Sequence, residues 1–77
     1  MSQVIIYGTT NCPRCNALKH ELDKRNIEYT SVDVGTDGDA ATMLSKRGFD
    51  LLPVISKDDE FFAEPLLEKQ LKFIMED

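Results

Sequence analysis

Apolar residues along this chain alternate between short unbroken runs and stripes at helical spacing. Val4-Ile5-Ile6-Tyr7 is β-branched and aromatic, shows no alternation and stops at Gly8, the pattern of a strand covered on both faces. It is placed at the centre of a sheet. After the loop 9–11, Pro13 suits the first turn of a helix, where its missing N–H costs nothing. Cys15, Leu18 and Leu22 then recur at helical spacing, which predicts a helix over 13–25 with Asn26 ending it in the left-handed conformation. Tyr29, Val32 and Val34 mark a second strand within 27–34, before Gly35.

Thr36 with Asp39 three positions on resembles a capping box, and Ala40, Met43, Leu44 and Arg47 share one face. A second helix is expected over 37–47, with Gly48 at its C′ position and Phe49 as the apolar contact that accompanies such an ending. Residues 53–56, the polar stretch 57–60 and Phe61-Phe62 read as strand, turn and strand, hence an antiparallel hairpin. Pro65 is expected to open a last helix whose Leu67, Leu71 and Ile74 share a face, with Leu66 and Met75 at its edges. The order is β-α-β-α-β-β-α. A right-handed crossover makes the first two strands parallel, and the hairpin extends the same sheet on its other side. The fold class expected is therefore α/β, one four-stranded mixed sheet covered by three helices.

Seventy-seven residues at 42% hydrophobic content leave room for one domain, residues 1–77, without repeats or linkers. A formal net charge of −5 works against binding nucleic acid or an acidic membrane surface. Val4 to Tyr7 is the longest aliphatic or aromatic run, far short of a membrane span. Nothing in Met1 to Gln3 resembles a secretory leader, so the expected compartment is the cytoplasm.

The two cysteines are three positions apart, and a crosslink closing so short a loop adds little to folding. The pair calls for another explanation. Cys12-Pro13-Arg14-Cys15 lies between the end of a buried strand and the start of a helix, where open α/β sheets keep functional groups. Pro13 starts the helix and so puts Cys12 at the N-cap, where unpaired N–H groups and the helix dipole favour a thiolate. Arg14 adds a positive charge in the same turn. Thiols so placed have pKa values of roughly 3.5 to 7.5, and Cys12 is the expected nucleophile. Cys15, facing inward with Leu18 and Leu22, is suited to resolve the mixed disulfide that Cys12 forms. A zinc site would need two further ligands, and the chain offers only His20. A symmetric dimer sharing one metal or iron–sulfur centre between two such pairs stays open as the alternative.

The strand Val4-Ile5-Ile6-Tyr7, the Cys12-Pro13-Arg14-Cys15 motif and the segment Gly48-Phe49-Asp50-Leu51-Leu52-Pro53-Val54 resemble the glutaredoxin branch of the thioredoxin fold. The resemblance implies a cis Leu52–Pro53 bond facing the cysteines and a Leu52 backbone that pairs with the substrate like an added strand. It implies a monomeric electron carrier with no bound cofactor, reducing protein disulfides, those of ribonucleotide reductase among them. Its electrons would come from glutathione or from thioredoxin reductase. Glutathione-using members carry a lysine where this chain has Thr9, and a Gly-Gly pair where it has Phe62-Ala63-Glu64-Pro65. Losing a cation and gaining Glu64 both weaken the docking of an anionic tripeptide. The Gly48-Phe49 and Leu52-Pro53-Val54 features and the Pro65 start look closer to the ribonucleotide-reductase redoxins, although that group's aromatic and glycine pattern before the last helix is absent.

Other polar groups read as ordinary surface. His20 shares its helix with Lys19, Glu21, Asp23, Lys24 and Arg25, and Asp58-Asp59-Glu60 lacks the spacing of a calcium loop. Phe61 and Phe62 must point to opposite faces of their strand, one joining the core and the other either covered by a helix or partly exposed as a docking contact. Tyr7 lies beneath the motif loop as packing, with its hydroxyl a further candidate contact to the site.

Overall fold

The unbroken apolar run near the N-terminus becomes the inner strand of a four-stranded mixed sheet. The computed structural model describes residues 3–75. Its elements are β1 (Val4–Gly8), α1 (Pro13–Lys24), β2 (Thr30–Asp33), α2 (Gly38–Lys46), β3 (Val54–Lys57), β4 (Glu60–Phe62) and α3 (Leu67–Met75). The strand order is β2-β1-β3-β4, with β1 parallel to β2 and antiparallel to β3. The expected element order and sheet are both present. No helix of the described residues is long and apolar enough to cross a membrane.

Alternation along the strands divides the core into two layers. Val4, Ile6 and Ile55 pack with Leu18, Leu22 and Ile74 under α1 and α3, whereas Tyr7 and Val54 pack with Ala40 and Leu44 under α2. Register carries each layer across the sheet. Ile6 pairs with Ile55 and Ile55 with Phe62, which stacks on Phe73 at 4.7 Å between ring centroids. Phe61, on the other face, stacks on Tyr7 and Phe49 with the Arg47 guanidinium 4.2 Å from its ring centroid. Both phenylalanines are thus half-buried against ring partners, on opposite faces.

Local rules explain the helix ends. Asn26 and Gly48 take positive φ values of 59° and 81°, and in each case the next residue's N–H reaches back to a carbonyl five positions earlier: Ile27 to Leu22 at 2.9 Å and Phe49 to Leu44 at 3.0 Å. Two starts differ from expectation. α2 is capped by Asp37, whose carboxylate accepts from the Ala40 N–H at 3.1 Å, while the Thr36 hydroxyl donates to the Asp33 carbonyl. With the Thr36 hydroxyl turned back to the Asp33 carbonyl, the Asp37 carboxylate, charged at the helix N-terminus, takes the cap in place of the Thr36–Asp39 pairing. α3 begins at Leu67, not Pro65, with the Leu66 carbonyl accepting the first helical bonds. The cause lies inside that helix: Gln70, 1% exposed, donates its side-chain amide to the Glu64 carbonyl and ties down the bend at Pro65 that precedes the helix.

The hairpin turn carries a local cost. Asp58 and Asp59 both have positive φ, 51° and 71°, as a type I′ turn requires, and glycine suits its second central position better than aspartate. Asp58 also accepts from the Gln3 N–H at 3.2 Å, so it is retained. Asp59→Gly is expected to stabilise the protein by about 0.5 to 1 kcal/mol, read as a melting temperature about 2 to 8 °C higher. An unchanged or lower melting temperature would show the turn to be unstrained.

Candidate active site

Cys12 is the N-cap of α1, in extended conformation, with Pro13 in the first helical turn. Its carbonyl accepts the first helical bond from the Asn16 N–H at 3.0 Å, and its sulfur accepts from the Cys15 N–H at 3.2 Å. Helix start and cysteine are therefore one construction: the cap that would ordinarily be an oxygen is a sulfur. The two sulfurs are bonded to each other across a Cα–Cα distance of 5.2 Å. Their surroundings differ. Cys12 is half-buried while Cys15 is 0% exposed, lying one turn along the face that carries Leu18 and Leu22 into the core.

Arg14 is exposed in the first turn, so its charge faces solvent beside the pair. Acidic residues are absent from that turn, leaving the dipole and the guanidinium unopposed there. Thr9, Thr10 and Asn11 form the loop between β1 and Cys12, and Asn16 steadies it by donating to the Thr10 carbonyl at 3.4 Å. Thr9 lies on the β2 side, where its methyl approaches Gly35. Pro53 lies on the β3 side: Val54 pairs with Tyr7, so the preceding proline stands level with Gly8, from which the motif loop departs. Pro53 is buried and the Leu52–Pro53 bond is cis, as the resemblance implied. Leu52 is half-buried and Leu51 is 42% exposed. Tyr7 is buried in the α2 layer, beneath this surface.

Three further residues shape the site. Gly8 lets Cys15 lie against the end of β1, since a Cβ there would stand 2.6 Å from the Cys15 sulfur; a glycine closing a strand was the available signal. Asn16 and Gln70 act through carbonyls of neighbouring loops, which side-chain type alone does not reveal. His20 is exposed, and no group of three or more His, Cys, Asp or Glu side chains among the described residues is placed to hold a metal ion. The phenol of Tyr29 is raised from its ordinary value, by burial first and by Asp23 second. It precedes β2 at the end of the sheet remote from the cysteines.

Comparison with known proteins points one way. The family model described as Glutaredoxin matches residues 4–62. The glutaredoxin-like protein NrdH of Salmonella typhimurium is 38% identical over 56 residues, covering 73% of this chain and 69% of its own length. The protein of the same description from Lactococcus lactis subsp. cremoris is 28% identical over 60 residues, covering 78% of this chain and 83% of its own. Among solved structures, the glutaredoxin-like NrdH-redoxin from Escherichia coli, described as having a thioredoxin-like activity profile, superposes with a TM-score of 0.77 at 27% identity. That match covers 90% of this chain and 93% of the other.

Proposed function

The chain belongs to the glutaredoxin family of thiol–disulfide oxidoreductases, and on that premise we propose that it is a dithiol electron carrier for protein disulfides, with Cys12 attacking and Cys15 resolving. The observation that carries this reading is the asymmetry of the pair. The half-buried sulfur caps a helix and accepts an amide N–H, whereas the other is enclosed. Helix dipole, amide and Arg14 all favour the anion at Cys12.

In the reduced protein the Cys12 thiolate attacks one sulfur of the substrate disulfide. That bond breaks, the departing sulfur takes a proton, and a mixed disulfide joins Cys12 to the substrate. Cys15 then gives up its proton and attacks the Cys12 sulfur, which releases the substrate as a dithiol. Two electrons and two protons have moved, and the carrier holds the Cys12–Cys15 bond. Pro13 fixes the start of the helix, and Leu52 and Pro53, level with the end of β1, guide an extended substrate segment beside the pair. Exposed Leu51 extends that surface, while Thr9 borders it on the other side and Tyr7 supports it from below.

The donor assigned is thioredoxin reductase, and the partner is ribonucleotide reductase. Likeness to NrdH proteins supports this, as does the lack of a cation at Thr9. At the approach to α3, Glu64 brings a carboxylate whose nearest cation, Lys69, already pairs with it at 3.4 Å. An anionic tripeptide meets no spare positive charge from that pair. Oxidised protein is expected to drive NADPH consumption with thioredoxin reductase and to do so far more slowly with glutathione plus glutathione reductase. The opposite ranking would reassign the donor, and no turnover in either system would remove the carrier role.

A further inference from the structure

Gly8 closes β1 against the first turn of α1. A Cβ built at this position would stand 2.6 Å from the Cys15 sulfur and 3.0 Å from the Cys15 Cβ, inside the separations at which nonbonded atoms attract. The glycine is ordinary strand backbone, not one of the positive-φ positions, so its lack of a side chain is not demanded by conformation. The other glycines offer nothing similar: an added Cβ at Gly38 or Gly48 meets no atom within 4 Å, and at Gly35 it meets the Asp33 carboxylate.

Building on the thiol–disulfide reading, we propose that Gly8 is a positioning residue for the redox pair: its bare Cα leaves the seat from which the Cys15 sulfur reaches Cys12. The two oxidation states differ in their tolerance of an added methyl. In the disulfide, the Cys15 sulfur is tethered to Cys12 and enclosed at 0% exposure, so it cannot turn away. In the dithiol the tether is gone and χ1 is free to take another staggered position. A side chain at position 8 therefore disfavours the oxidised form more than the reduced one.

Wild type, Gly8→Ala and Gly38→Ala are to be equilibrated in buffers of glutathione and glutathione disulfide, and the state of the pair read by alkylation of free thiols. Two glutathione thiols reduce the protein disulfide, forming glutathione disulfide and leaving Cys12 and Cys15 as thiols. Gly8→Ala is expected to shift this equilibrium toward the dithiol by about tenfold, equivalent to about 30 mV for a two-electron couple, with Gly38→Ala unmoved. Equal constants for wild type and Gly8→Ala would overturn the proposal and leave the carrier reading standing. A wild-type pair that cycles neither in these buffers nor with thioredoxin reductase and NADPH would overturn both. Should Gly8→Ala fail to fold, Cys15→Gly is added to it, removing both the sulfur and the Cβ that the new methyl meets: recovery of a thermal transition supports contact with the Cys15 side chain, and continued failure to fold refutes it.

Discussion

Cys12→Ser is expected to abolish disulfide exchange, whereas Cys15→Ser is expected to retain the first half of the reaction and to accumulate a mixed disulfide with its substrate. The two outcomes differ because the sulfurs occupy different surroundings. A substrate disulfide can approach the half-buried cap of α1, but not a group that is wholly enclosed beneath it. Serine preserves the cap hydrogen bond at position 12 while removing the nucleophile, so the loss is one of chemistry and not of helix stability. Non-reducing electrophoresis of each variant after incubation with a disulfide-bonded protein substrate reads the result directly. A trapped species with Cys12→Ser, and none with Cys15→Ser, would reverse the roles.

The second large effect is structural. Leu22→Ala is expected to cost about 3 kcal/mol, the middle of the range for emptying a fully enclosed leucine site. Leu22 has no exposure and lies between the sheet and α3 in the larger core layer. At roughly 0.05 to 0.15 kcal/mol per residue, a chain of this length has little to spare. The urea midpoint should fall by about 1 to 3 M, in both oxidation states, because the side chain is remote from the sulfurs along α1. A loss below about 1 kcal/mol would mean that α3 closes over the vacated space.

Much of this architecture is written in short-range pattern. The Val4 to Tyr7 run, Pro13 at the helix start, Asn26 and Gly48 at helix ends and the polar hairpin turn each obey rules that span a few residues, and each is found where those rules put it. The pairing of Cys12 and Cys15 at the start of α1 was legible for the same reason. What escaped depends on partners distant in sequence or on competition between neighbours. Pro65 satisfies the rule for a helix start, yet the buried amide of Gln70 claims the Glu64 carbonyl and delays the helix. Thr36 and Asp37 are both competent caps, and only the path of the chain after β2 decides between them. The cis Leu52–Pro53 bond followed from resemblance alone, since proline permits either isomer. Gly8 looked like strand punctuation until the helix laid a sulfur against it.

The acidic hairpin has a bearing on how such a carrier behaves when it is abundant. Outermost in the sheet, β4 offers unpaired backbone along only three residues, and Asp58, Asp59 and Glu60 stand at its turn end with like charge. Two molecules approaching edge to edge meet mutual repulsion before their strands can zip together. Replacing Asp59 by glycine would relax the turn but remove part of that barrier, so the more stable variant is also the one more prone to clump at high concentration.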